Sequence, residues 1–213
     1  MDTTTIMIEA GAVRLEGLLT LPQSAKGLVV FVHGSGSSRF SSRNQYVAQV
    51  MNRAGLATLL FDLLTPEENQ IDEITREYRF DIELLSQRTV ATIDWLGEQP
   101  ELKNLSIGLF GASTGAAAAL NAAKQRPDEV KCVVSRGGRP DLAMASLPDV
   151  LAPTLLIVGS LDTEVLQLNK LAKQAMQAKC DILVIDGATH LFEEPGTLQE
   201  AAEAAKQWFM EYL

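Results

Sequence analysis

The sequence predicts an α/β fold: a mostly parallel sheet with helices on both faces and an antiparallel hairpin at its N-terminal edge. Residues 5–21 alternate apolar and polar side chains around Gly11, as at Ile6, Ile8, Val13 and Leu15, which is the signature of a half-exposed hairpin. Six later runs are apolar without alternation, as strands covered on both faces are. Helix-period stretches separate these runs, and strands alternating with helices define a parallel sheet wrapped on both sides.

In chain order, the first buried strand is Leu28–Val32, followed by the glycine-rich His33-Gly34-Ser35-Gly36 and a helix over Asn44–Ala54. A strand at Ala57–Phe61 comes next. The segment Asp62–Glu83 holds eight carboxylates and reads as a solvated connection that runs into the long helix Phe80–Leu96. Leu105–Phe110 is a strand and Thr114–Gln125 a helix whose small residues, Ala116 to Ala119, allow close packing on the sheet. Strands at Lys131–Val134, Thr154–Val158 and Ile182–Ile185 complete the set, with helices at Thr163–Ala178 and Leu198–Tyr212. Each strand run is bounded by Gly, Pro, Asp or Ser, the residues that end strands and start turns.

A chain of 213 residues is the length of one α/β domain, so residues 1–213 are expected to share a single core. Its net charge of −9 gives no general phosphate-binding surface, and nucleic acid is excluded as an expected partner. Cys132 and Cys180 lack metal-ligand spacing and sit in or beside apolar runs, as small buried thiols of a reducing compartment do. No basic stretch followed by a long apolar run opens the chain, and no segment approaches the ~20 apolar residues of a membrane span. A cytoplasmic location without membrane contact is the expectation.

The run Gly111-Ala112-Ser113-Thr114-Gly115 places G-x-S-x-G between a buried strand and an Ala-rich helix. Ser113 on such a sharp turn needs strained backbone angles, and side chains at positions 111 and 115 would collide with the neighbouring strand and helix. The helix start offers the backbone N–H of Thr114 and a partial positive charge to an oxyanion forming beside Ser113. A simpler role for Ser113 is that of a helix N-cap.

A hydroxyl nucleophile needs a base, and the chain has two histidines, His33 and His190. His190 follows the last strand and can return over the strand ends to Ser113. Asp162, between the penultimate strand and a helix, is placed to hold that imidazole in one tautomer, or to cap the helix. His33 opens the glycine-rich loop and is expected to shape it, with Gly34, through hydrogen bonds. The N–H of Ser35 is the expected second oxyanion donor. This loop lacks both the G-K-[ST] ending of a P-loop and the G-x-G-x-x-G spacing, so nucleotide binding is disfavoured. Neither a metal nor an organic cofactor is expected.

The order Ser113, Asp162, His190 is that of an α/β-hydrolase. On His33-Gly34-Ser35-Gly36, Gly111-Ala112-Ser113-Thr114-Gly115, Gly159-Ser160-Leu161-Asp162 and Gly187-Ala188-Thr189-His190, the chain resembles the dienelactone-hydrolase-like group of small, capless bacterial α/β-hydrolases along nearly its whole length. The resemblance implies an eight-stranded sheet and a Ser-Asp-His triad acting on a small carboxylic ester or lactone. Dienelactone hydrolases themselves carry a cysteine nucleophile where this chain has Ser113, so a generic ester is the expected substrate. An aspartate, the nucleophile of related dehalogenases and epoxide hydrolases, is absent from that position. Related hydrolase-like domains also occur fused to phosphoribosyltransferases, which keeps open a non-catalytic accessory role.

The connection from Ser135 to Pro153 is too short for a separate lid domain, so an open, shallow pocket is expected. Arg136 and Arg139 fall in this loop, and Arg39 and Arg43 follow the glycine-rich loop. Four arginines at one sheet edge of an acidic chain point to an anionic substrate, since guanidinium pairs bidentately with carboxylate or phosphate. Pairing with Asp141, Asp62 or Glu67-Glu68 explains them equally well. The capless edge and the Ala-rich last helix would tolerate a homodimer.

Overall fold

A computed structural model describes residues 2–213. Strands β1 (Thr3–Ala10) and β2 (Val13–Thr20) form the expected hairpin, turning at Gly11 with a φ of 67° that an L side chain rarely adopts. The remaining strands are β3 (Leu28–Val32), β4 (Ala57–Phe61), β5 (Ile107–Ala112), β6 (Val130–Arg136), β7 (Thr154–Gly159) and β8 (Cys180–Ile185). They build one eight-stranded sheet in the order β1-β2-β4-β3-β5-β6-β7-β8. Only the β1–β2 and β2–β4 pairings are antiparallel. Every residue of β3, β4, β5 and β7 is buried, which is why these strands read as continuous apolar runs.

The helices are α1 (Ser42–Arg53), α2 (Pro66–Thr75), α3 (Ile82–Glu98), α4 (Thr114–Gln125), α5 (Thr163–Ala175) and α6 (Thr197–Tyr212), with a kinked 3-10 segment at Pro140–Asp149. α1 and α6 bury Val47, Met51, Trp208 and Phe209 on one face of the sheet. α3, α4, α5 and the 3-10 segment cover the other, where Ala117, Ala118, Ala119 and Leu120 of α4 are fully buried in the core. Gly108 leaves room for Phe209, whose ring atoms would lie 2.7 Å from a Cβ there.

The Asp62–Glu83 segment differs from expectation. It contains α2, capped by a reciprocal box in which Glu68 N–H donates to Thr65 Oγ1 and Thr65 N–H donates to the Glu68 carboxylate, with Pro66 in the first turn. Nor is it uniformly solvated. Asp72 is buried and accepts from the main-chain N–H groups of Tyr78 (2.8 Å) and Arg79 (2.9 Å) and from Arg79 Nε (2.6 Å). Thus the acidic residue read as a solvated charge folds the α2–α3 connection around itself.

Candidate active site

β5 delivers Ser113 to the carboxyl edge of the sheet, between Ala112 and the start of α4, with φ 49° and ψ −123°. Such angles are costly for a residue with a side chain and persist only where the surroundings fix them. Here Ser113 N–H donates to Arg136 O (3.3 Å), while Ser113 O accepts from Arg139 N–H (3.0 Å) and Ala116 N–H (3.1 Å). A Cβ on Gly111 would lie 2.5 Å from Ala116 Cα, and one on Gly115 would lie 2.2 Å from Val32 O, so both glycines are required by close backbone approach. The side chain of Ser113 makes no capping bond to α4 and is free for other use.

Asp162 and His190 meet as the sequence predicts. Asp162 Oδ2 lies 2.6 Å from His190 Nδ1, and the carboxylate makes no capping bond to α5, so its partner is the imidazole. Leu161 N–H donates to Ala188 O at 3.0 Å, tying the two loops together. Glu194 steadies the His190 loop by accepting from Thr189 Oγ1 and N–H, bonds that hold its carboxyl below the usual carboxylate range. Ser113 and His190 open into one cavity of about 250 Å³.

His33 behaves as a loop-shaping residue. Leu63 N–H donates to its Nε2 (3.1 Å), so Nδ1 carries the proton and donates to Gly34 O (2.9 Å). Burial lowers its pKa against the opposing effects of the Gly34 bond and the Asp62 charge, and favours this neutral form. Gly34 packs where a Cβ would come within 3.0 Å of Ser113 Cβ. The Ser35 N–H, expected to point at an oxyanion, instead donates to Thr114 Oγ1 at 2.9 Å. That threonine hydroxyl is a contact the sequence motif did not announce.

The four arginines divide. Arg39 is held by Asp62 and Glu16, and Arg139 forms a two-point pair with Asp141 at 2.9 and 2.8 Å, so both already have carboxylate partners within the chain. Arg43 and Arg136 line the cavity of Ser113. Arg43 approaches only Glu193, at 3.7 Å. Arg136 is buried between the rings of Phe110 and Phe192, and its Nη2 donates to Asn44 Oδ1 at 3.3 Å. Burial, followed by the Arg43 charge, pushes its pKa down to about 10. Asn44 was not foreseen as a site residue, although a polar residue in the stripe Asn44, Val47, Ala48, Met51 was its signal. A second hollow of about 350 Å³ lies across the His33–Ser38 loop, and neither Ser113 nor His190 lines it.

This sheet order, with a strained serine after β5 and an Asp–His pair after β7 and β8, defines an α/β-hydrolase fold. The chain belongs to the dienelactone hydrolase family, whose model matches residues 15–213. A dienelactone hydrolase from Anabaena variabilis is 53% identical, with a TM-score of 0.98 over 100% of this chain and 98% of that one. Est1E from Butyrivibrio proteoclasticus shares the fold at 16% identity, with a TM-score of 0.82 over 97% of this chain and 98% of its own. A Mycobacterium tuberculosis protein whose name gives it provisionally as a phosphoribosyl transferase is 55% identical over 208 residues, 98% of this chain. The match spans only 46% of that relative's length. No helix among the described residues is long and apolar enough to cross a membrane.

Proposed function

We propose that the chain is a serine hydrolase that cleaves a small carboxylic ester or lactone through an acyl-enzyme on Ser113. The observation that carries this is the Asp162–His190 contact of 2.6 Å at the mouth of the cavity into which Ser113 opens. In this reading Ser113 Oγ attacks the carbonyl carbon while its proton passes to His190 Nε2. Asp162 holds Nδ1–H and stabilises the imidazolium. The carbonyl electrons move onto oxygen, beside the N–H of Thr114 and the positive end of α4. As the intermediate collapses, His190 returns the proton to the leaving alcohol oxygen. Water then repeats the sequence in reverse roles to free the acid.

Serine in the family's nucleophile turn supports a general ester rather than the dienelactone reaction. Two buried, unpaired cysteines, with burial pushing Cys132 up to about 12 and Cys180 up to about 11, support a reducing, cytoplasmic setting. The relatives' phosphoribosyl transferase name belongs to proteins more than twice the matched length, and it favours a second reading in which this part is a non-catalytic accessory module. Labelling with a fluorophosphonate probe separates the two. Stoichiometric modification of Ser113, found by peptide mass spectrometry, is the expected result, and an unlabelled, folded protein supports the accessory reading.

A further inference from the structure

We propose that Arg136 and Arg43 form a subsite for a phosphomonoester dianion carried by the substrate next to its scissile ester; this deepens, and rests on, the hydrolase reading above. A guanidinium carries five N–H donors and no acceptor. In Arg136 the Nη2 donates to Asn44 Oδ1, whereas Nη1 is fully buried with no hydrogen-bond partner among the described residues. The other largely buried guanidiniums each have a carboxylate: Arg39 has Asp62 and Glu16, Arg79 has Asp72, and Arg88 has Glu68. Arg136 is 8% exposed and has none among the described residues. Burying a charge without a counter-ion is expensive, so this guanidinium is built to receive an anion from outside.

The charge of that anion follows from its surroundings. Arg43 brings a second cation to the same cavity, and no Asp or Glu among the described residues lines it. The carboxylate that approaches Arg43 is the exposed Glu193. α1 begins at the same place with Ser41 as its cap, and its first turn contains no acidic residue, so the positive end of a 12-residue helix is also unanswered. Glu193 is two-thirds exposed and 3.7 Å away, so it offsets Arg43 only weakly, and a single carboxylate would leave much of the charge of the two arginines unanswered. A phosphomonoester dianion answers both charges and offers three acceptor oxygens to the guanidiniums of Arg136 and Arg43 and to the Ser37 and Ser41 hydroxyls, all from residues that line the cavity. A volume of about 250 Å³ holds a phosphoryl group and a short chain reaching Ser113. The site is a pocket inside an acidic protein, so it selects small phosphorylated esters and not polyanions.

Calorimetry with inorganic phosphate and with acetate, at about pH 8 where the phosphate dianion dominates, tests this on the resting protein without need of turnover. Phosphate should bind about tenfold or more tightly than acetate, and Arg43→Gln should weaken phosphate by about tenfold, the size of one charge-assisted hydrogen bond. Arg136→Gln should do the same where it folds, and Arg43 at the cavity rim keeps the test decisive where it does not. Phosphate should also slow fluorophosphonate labelling of Ser113. Equal affinity for acetate, phosphate binding unchanged by Arg43→Gln, or no binding of phosphate at millimolar concentration each overturns the proposal. Failure of the probe to label Ser113 at all would instead count against the hydrolase reading and leave the calorimetric result standing.

Discussion

The N–H of Ser35 donates to the hydroxyl of Thr114 at 2.9 Å, joining the loop after β3 to the first turn of α4 across 79 residues. This bond ties together the two segments on either side of Ser113, and in the proposed hydrolase mechanism a substrate oxygen reaching this N–H would share it with the Thr114 hydroxyl or take it over. Thr114→Val keeps the shape and removes the acceptor. The variant keeps the Ser35 N–H and loses the bond that positions its loop, so kcat on p-nitrophenyl acetate should fall by about tenfold, short of the 10²–10³ typical of a lost oxyanion donor. Thr114→Ser should restore most of it, and an unchanged kcat in the valine variant would show that this contact does not set the loop.

Ser113→Ala should remove both turnover and fluorophosphonate labelling while leaving the melting temperature close to that of the parent. Loss of the nucleophile in a triad costs on the order of 10⁶ in kcat, a scale set by a serine protease. Activity near the parent level in purified variant protein removes Ser113 from the mechanism.

Because the Asp162 carboxylate bonds to His190 and not to the end of α5, its replacement tests orientation apart from stability. Asp162→Asn should retain the parent's unfolding midpoint yet lose about 10⁴ in kcat, as imidazoles held in the wrong tautomer do. His190→Ala should lose turnover on the same scale, and activity near the parent level in that variant would argue against His190 as the base.

Much of this was legible in the chain because the responsible forces are local. Buried strands need apolar runs, the turn at Ser113 needs Gly111 and Gly115, and Asp162 and His190 each follow a strand that ends at the same edge. α2 was missed although Thr65-Pro66-Glu67-Glu68 spells a capping box, because its single buried residue, Asp72, gives no apolar stripe to mark it. The division of the arginines was hidden for another reason. Arg39 finds Glu16 and Asp62 at 23 residues on either side, while Arg136 is isolated by Phe110 of β5, Asn44 of α1 and Phe192 of the loop after β8, and only the assembled sheet decides which guanidinium is left free.

The buried Asp72 predicts an acid limb in stability. Burial alone would raise its pKa, but the donors from Arg79 and Tyr78 outweigh burial and hold it below its ordinary value of 3.8. The native state therefore binds fewer protons than the unfolded chain between these two values, and stability rises with pH there. The contribution is complete above 3.8 and is lost as pH falls through the lowered native value. Asp72→Asn should lower the urea midpoint at neutral pH and make the low-pH decline shallower. Parallel pH profiles for parent and variant would show that Asp72 does not supply this limb.

Glycine at 115 and glycine at 97 make opposite predictions for the same substitution in a helix. In solvent-exposed helical positions alanine is favoured over glycine by up to about 1 kcal/mol, because glycine gives up more backbone freedom on folding. Gly97, near the end of α3, has nothing within 4 Å of an added Cβ, so Gly97→Ala should stabilise the protein by about that amount. In α4 the same methyl group on Gly115 would stand 2.2 Å from Val32 O and 2.4 Å from His33 O, both main-chain atoms of the segment leading into the Gly34–Ser35 loop. Backbone cannot yield as a flexible side chain can, and overpacking of this kind costs about 1–3 kcal/mol or more, which exceeds the helix gain. Gly115→Ala should therefore unfold at lower urea and, by displacing the His33 loop from Ser113, lose kcat even under conditions where it is fully folded. A stabilised or fully active Gly115→Ala protein would mean that the β3 end and the α4 start are not in the close contact that holds the site together.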